Sequence, residues 1–332
     1  MPMFPNERLT PMSATIPQDL SHVFERYSER RVVLQLDRRL AHLQEEAEID
    51  RLRQVLRGFE IADLLLIAQR IAPASFGVIG PGSGSESIGA AQIFHSLTGL
   101  VATDRDPLLM AEASINIRRH VDAAIEVVID EGHIYAPLVT TGRRVDLLYA
   151  NLADIPFTVA PDAVVEHLSF CPAVSHTPHD ALLNRYQLGL AYCFLRSAAV
   201  ALTRRGSALV LLGARFPLAV FDRLAESVEM RFVEIRCWLQ RQTDVCNVIA
   251  GFAAAETRAT AFDFYDFDAA QTVLAGVTSQ PLADELKLLL APFRLSASEA
   301  LTASRTGCAI GYMAHLIMAT PFRDQPTGGP NE

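Results

Sequence analysis

The stretch Phe76-Gly77-Val78-Ile79-Gly80-Pro81-Gly82-Ser83-Gly84-Ser85-Glu86 decides the fold. A short apolar run is followed by three glycines at alternate positions and then by residues that suit a helix. Glycine lets the backbone turn sharply and come close to a ligand where a Cβ would intrude. Downstream, Ala102-Thr103-Asp104-Arg105-Asp106-Pro107 ends a second apolar run on an acid, and Asp146-Leu147-Leu148-Tyr149-Ala150-Asn151 supplies a further strand. Strand, glycine turn, helix and an acid ending the next strand make half of a nucleoside-binding site, because a carboxylate there can accept from both hydroxyls of a ribose.

Outward from this stretch, strands and helices alternate. Phe76 to Gly80, Gly99 to Thr103, Ile125 to Ile129 and Val145 to Ala150 read as strands, as does the apolar run Ala208 to Leu212. Helices are expected over Ser85 to Leu97, Pro107 to His120 and Ala181 to Arg204. Near-continuous apolar strands separated by helices imply a mostly parallel sheet covered on both faces. Residues 1–72 read as a helical N-terminal module. Within it a first helical stretch runs to Gly58 as its stop, and a second spans Phe59 to Ile71. Residues 73–256 form the Rossmann-like domain. Residues 257–332 read as a C-terminal extension, in which Phe262 to Asp268 forms either a strand or a lid.

Composition narrows the class of partner. The chain has 332 residues, half of them apolar, and a net charge of −9. An acidic chain lacks the basic face that nucleic-acid phosphates require, so a small-molecule substrate is expected. No apolar run reaches the ~20 residues that cross a bilayer. The first residues show no basic region followed by an apolar stretch, and the five cysteines are scattered without a Cys-x-x-Cys pair, so a cytoplasmic location with reduced thiols is expected. The segment Ser175-His176-Thr177-Pro178-His179-Asp180 offers a general base in His176. Its spacing suits neither a helical ligand pair nor a metal, and no metal is expected.

The G-x-G-S-G turn (Gly80, Gly82, Ser83, Gly84), Asp104 with Pro107, the later Ala113 and Asn116, and the sequence Asn151 to Pro156 resemble class I S-adenosylmethionine-dependent methyltransferases. They resemble most the branch that methylates a glutamine of release factors. The resemblance covers about residues 76–256, where Leu212 to Pro217, Gln242-Thr243-Asp244, Gly251-Phe252 and Glu256 also follow that branch. It implies a Rossmann-like class I methyltransferase sheet with helices on both faces. It further implies that Gly80, Gly82, Ser83 and Gly84 line the methionine and ribose portion of S-adenosylmethionine, and that Asp104 holds the ribose hydroxyls. Arg105 or Asp106 would lie beside the adenine, with His133 near its amine. A phosphate-free ligand suits a turn without a lysine. An NAD-binding fold is the main rival.

The chain also departs from that pattern. Val78 stands where the family carries an acid, and His133 follows Gly132 where an acid is usual. The Asn-Pro-Pro-Tyr motif that grips a planar amide is here Asn151-Leu152-Ala153-Asp154. Glutamine methylation is therefore not carried over. Asn151, Asp154 and His176 remain the candidate catalytic residues, with Asn151 also expected to touch the cofactor, and the expected reaction is in-line methyl transfer to a small amino-acid-like metabolite. Two alternatives stay open. One is attack on another carbon of the sulfonium, which releases methylthioadenosine in a cyclase or aminocarboxypropyl transferase of the azetidine-2-carboxylate type. The other is a non-catalytic binding protein.

Overall fold

The computed structural model describes residues 15–37, 44–132, 136–152, 180–243 and 245–322. Strands β1 (Ile16–Asp19) and β2 (Val33–Leu36) pair antiparallel in a small separate sheet, with helix α1 (Ser21–Phe24) between them. The main sheet has nine strands. In chain order these are β3 (Ser75–Ile79), β4 (Gly99–Asp104), β5 (Glu126–Glu131), β6 (Val145–Asn151), β7 (Leu202–Gly213), β8 (Met230–Arg241), β9 (Phe264–Asp266), β10 (Arg294–Leu295) and β11 (Ile310–Pro321). The helices are α2 (Glu46–Ala68), α3 (Ser85–Ile93), α4 (Pro107–His120), α5 (Ala136–Thr140), α6 (Ala181–Arg185), α7 (Gly189–Ala201), α8 (Ala219–Val228), α9 (Val245–Ala255), α10 (Phe267–Leu274), α11 (Ala283–Leu290) and α12 (Ala297–Arg305).

The strands lie in the order β5-β4-β3-β6-β7-β11, with β8 on the far side of β11. The first five are parallel, and β11 runs antiparallel to both β7 and β8. The chain winds outward from β3 through β4 to β5, then returns to the other side of β3 as β6. This reversal opens a crevice outside the carboxyl ends of β3 and β6, where open α/β sheets bind ligands. The fold is thus α/β and Rossmann-like, with a hydrophobic core on each face of the sheet.

One core joins α2, α3 and α4 to the sheet and includes α1 and β2. Its centre is aromatic: Phe59 of α2 meets Tyr149 of β6 at 5.0 Å and Phe76 of β3 at 5.7 Å, and Phe76 stacks on Phe94 at 5.9 Å. All four rings are buried. The opposite core is built from α7, α8 and the C-terminal helices.

Three sequence expectations need correction. Gly58 does not stop a helix, because α2 runs through it without a break from Glu46 to Ala68. A Cβ on Gly58 would lie 2.3 Å from Cδ2 of the buried Leu316, so the glycine lets α2 approach β11 closely. The helix ends instead at Arg70, whose φ of 56° turns the chain while Arg70 N–H donates to Ile67 O and Ile71 N–H to Leu66 O. Upstream of α2 the expected helix is replaced by the β1/β2 pair.

The helix expected over Ala181 to Arg204 is two helices, α6 and α7, separated at Gln187 with φ 63°. Its last residues belong to β7. The third correction concerns the C-terminal segment. The sequence pattern places it outside the Rossmann-like domain, whereas it supplies β11 between β7 and β8 and β9 over Phe264–Asp266.

Overpacking tests the α2–β11 approach. Gly58→Val should destabilise by about 1–3 kcal/mol, and Leu316→Ala by about 2–5 kcal/mol. The two together should cost less than their sum in chemical denaturation, since each relieves the other. Strict additivity would show that the contact does not govern the packing.

Candidate functional site

The turn between β3 and α3 is built from backbone conformations open to glycine. Gly80, Gly82 and Gly84 have φ of 67°, 53° and 88°, which side chains with a Cβ rarely adopt. Gly80 N–H donates to Thr103 O at 2.9 Å, and Gly84 N–H to Pro81 O at 2.8 Å, so the turn is tied to β4 and closed on itself. The three glycines serve different purposes. A Cβ on Gly82 would meet nothing within 4 Å, and one on Gly80 would meet only Asp104 Oδ2, at 3.9 Å, so both border open space. A Cβ on Gly84 would press 2.8 Å from Ile117 Cγ1, so that residue is required by packing.

Helix α4 holds the turn from behind. Asn116 is wholly buried, and its Nδ2 donates to Ser83 O and to Gln35 O, both at 3.0 Å. Its Oδ1 accepts from Gln35 N–H at 2.8 Å. One side chain thereby joins the turn, α4 and β2. Ser83 is buried and touches this scaffold through its backbone.

Asp104 ends β4 beside the turn. Its Oδ1 accepts from Asp106 N–H at 2.9 Å, and its carbonyl accepts from Gly132 N–H at 2.8 Å. Partial burial, with the neighbouring Asp106 charge adding to it, raises its pKa above the ordinary carboxylate value. Asp106 itself caps α4, accepting from Leu108 N–H at 2.8 Å and Leu109 N–H at 3.3 Å, with Pro107 opening the helix. Arg105 is exposed.

Register brings Asn151 to the same level. Ile79 pairs with Thr103 on one side and Ala150 on the other, so Gly80, Asp104 and Asn151 leave three adjacent strands together. At ~4.8 Å per strand, Asp104 and Asn151 flank the turn with backbones about 10 Å apart. Asn151 is exposed at this edge. Asp146, at the start of β6, lies at the opposite edge. There its carboxylate accepts from Ala74 N–H, Ser75 N–H and Thr203 Oγ1 and stitches three strands together. His133, Asp154 and His176 lie outside the described residues.

Two clusters escaped the sequence reading. Glu86, in the first turn of α3, receives Arg51 Nη1 at 2.9 Å and Ser85 Oγ at 2.7 Å, while Arg51 Nε donates to Glu48 at 2.7 Å. The acid complements the positive end of α3, and Arg51 anchors the start of α2 beside the turn. Burial and then the Glu86 charge push the nearby Tyr149 hydroxyl well above its usual pKa. Glu48 and Arg51 are spaced for a helical pair, which is readable, but their partner Glu86 is not local.

The second cluster is at the ends of β7 and β8. Arg215 is buried over the Tyr312 ring at 3.6 Å and donates to Gln242 Oε1 at 2.7 Å. Its carbonyl accepts from Asp263 N–H at 2.7 Å, and Asp263 pairs with Lys287 and Arg294. These bonds fix the segment before β9 to the sheet edge, and within Phe262 to Asp268 the residues Phe264–Asp266 form a strand.

No family model matches the chain, and no curated protein matches it. Among solved structures it is similar to the YcgJ protein of Bacillus subtilis, at 11% identity, covering 80% of this chain and 98% of that one with a TM-score of 0.40. It is also similar to a precorrin-6y C5,15-methyltransferase of Geobacter metallireducens (12% identity, 80% and 88% covered, TM-score 0.36). A third is a ribosomal protein L11 methylase of Lactobacillus delbrueckii (14%, 55% and 70%, TM-score 0.34). The functional reading therefore rests on the geometry of the site.

If Asn116 holds the turn, Asn116→Ala should lower stability by about 2–3 kcal/mol, as buried groups lose their partners. Amide exchange should accelerate at residues 80–86 and 33–37 together. Acceleration at only one of these segments would show that Asn116 does not link them.

Proposed function

We propose that the chain is an S-adenosylmethionine-dependent methyltransferase acting on a small, amino-acid-like metabolite. One observation carries the reading: Asp104 faces a turn of three left-handed glycines at the topological switch point. The residues fit the ligand. Gly80 and Gly82 leave open the volume that a Cβ would enter, and Asp104 supplies a carboxylate for a ribose. No lysine follows the turn where a phosphate would need one.

When bound, S-adenosylmethionine supplies a methyl group activated by its sulfonium charge. What remains for this chain is binding, orientation and exclusion of water, and alignment of reactants alone can lower a barrier by about 7–11 kcal/mol. In this reading Gly80 to Gly84 admit the nucleoside and Asp104 accepts from its ribose hydroxyls. Asn151, across the crevice, orients the acceptor through its amide. The acceptor is small and not a nucleic acid, a reading supported by the net charge of −9. The absence of the two prolines and the tyrosine after Asn151 supports an acceptor other than a planar side-chain amide.

Asp104→Ala removes two hydrogen bonds to a charged group and should weaken S-adenosylmethionine binding by about 100-fold in calorimetry. Unchanged affinity would overturn the cradle. The wild type should also lose affinity as pH falls. The ribose hydroxyls donate to the ionised carboxylate, and burial raises its pKa, so protonation competes with binding at a pH above the ordinary carboxylate range. Asp104→Ala should lack this dependence.

Asn151→Ala should lower turnover at least about tenfold while changing cofactor affinity less than about threefold. The reverse split would move Asn151 from the acceptor to the cofactor. Incubation with S-adenosylmethionine alone, followed by mass spectrometry, tests the reaction. S-adenosylhomocysteine should form only with an acceptor, and methylthioadenosine forming without one would replace methyl transfer with attack on another carbon.

A further inference from the structure

A cavity of about 720 Å³ lies along the outer edge of β8, between α2 and the segment joining α10 to α11. Its size is that of a small-molecule pocket. Among the described residues β8 pairs only with β11, so its other edge faces this cavity. Four strand spacings separate β8 from β3, which places the cavity about 19 Å across the sheet from the glycine turn.

The charges lining it are unevenly compensated. Glu46 and Asp50 of α2 both receive Arg53 Nη1 from the same helix. Of the three arginines on the cavity wall, Arg57, Arg236 and Arg241, none makes an ion pair with a described carboxylate, and Arg241 lies at the rim against the Phe267 ring. Arg236, partly buried on β8, donates Nε to Gln54 Oε1 at 2.8 Å, a neutral partner that orients the guanidinium without neutralising it. Arg57 follows Gln54 by three residues and so shares its helix face. Glu60, one turn further on, is held by Arg26 at 2.6 Å. Burial, and then the Arg57 charge, lower the Arg236 pKa, as expected where the two guanidinium groups lie near each other on the cavity wall.

Like charges on one cavity wall, with Arg236 partly desolvated, repel one another unless an anion joins them. Guanidinium forks match carboxylate and phosphate oxygens in bidentate geometry. We propose that the β8-edge cavity is a binding site for a small organic dianion, a dicarboxylate or a phosphate monoester, held between Arg57 and Arg236.

Calorimetry at low ionic strength tests this, with succinate and inorganic phosphate as separate probes. At least one should bind saturably at a single site, and the preferred probe tells carboxylate from phosphate. Arg57→Gln/Arg236→Gln should weaken that binding at least tenfold. Arg57→Gln alone changes an exposed side chain that makes no ion pair among the described residues, so it tests the site even where the double variant fails to fold, and it should weaken binding at least threefold. Asp104→Ala should bind the probe as the wild type does, which separates this site from the cradle. No saturable binding of either probe, or equal binding by wild type and Arg57→Gln, would overturn the proposal.

Discussion

The close approach of α4 to the turn after β3 is the contact on which the candidate site depends. Gly84 takes a φ of 88° with Ile117 pressed against the place a Cβ would occupy, and Asn116 reaches past it to Ser83 O. Because Gly80 N–H is bound at the same time to the end of β4, the turn is held from two directions. A loop of three glycines would otherwise carry a large conformational entropy. Here most of that freedom is removed before any ligand arrives, so less of the binding free energy is spent on ordering the loop. The positions left open, Gly80 and Gly82, face the crevice.

The same packing explains why residues far from the crevice matter to it. Asn116 also holds Gln35 of β2, and Glu112 accepts from Asp37 N–H at 2.8 Å, so the small N-terminal sheet is fastened to the back of α4. On the other side of α3, Arg51 of α2 bridges Glu48 and Glu86. A buried ion pair adds little net stability once desolvation is counted, but breaking it by removing one partner is costly. Its consequence here is geometric, because it sets how α2 lies over the start of α3. Gly58 and Gly89 let α2 descend onto Leu316 and α3 onto Leu56.

What the sequence made legible follows from how local each feature is. The glycine turn, Asp104 and the strands around them show in runs of fewer than a dozen residues, since period and composition within such runs reflect burial directly. Asn151 could be placed because parallel strands put their carboxyl ends at one edge. Gly58 was misread because a glycine that ends a helix and one that permits a close approach look alike until the opposing Leu316, from the far end of the chain, is known. The Arg51–Glu86 pair and the Arg215 box of Tyr312 and Gln242 were hidden for the same reason. Gln187 takes the left-handed turn although it is not a glycine, and the nearby Gly189 opens α7, so neither residue marks the break within an apolar pattern that continues on both sides.

β11 carries this point furthest. Local patterning stops alternating after residue 256, which reads as an appendage, yet a strand from 310–321 enters between β7 and β8. Without it β7 would present one open edge and β8 would have no described neighbour, although both strands are complete by Arg241. The sheet's interior is therefore closed by nearly the last described residues, through contacts of long sequence separation, which are slow to form because loop closure precedes any gain from pairing. The cradle lies on the other side of β6, among strands that follow one another closely in the chain. Its geometry is set by the elements packed on its own side of the sheet, α2, α3, α4 and β2, while β11 closes the sheet beyond β7.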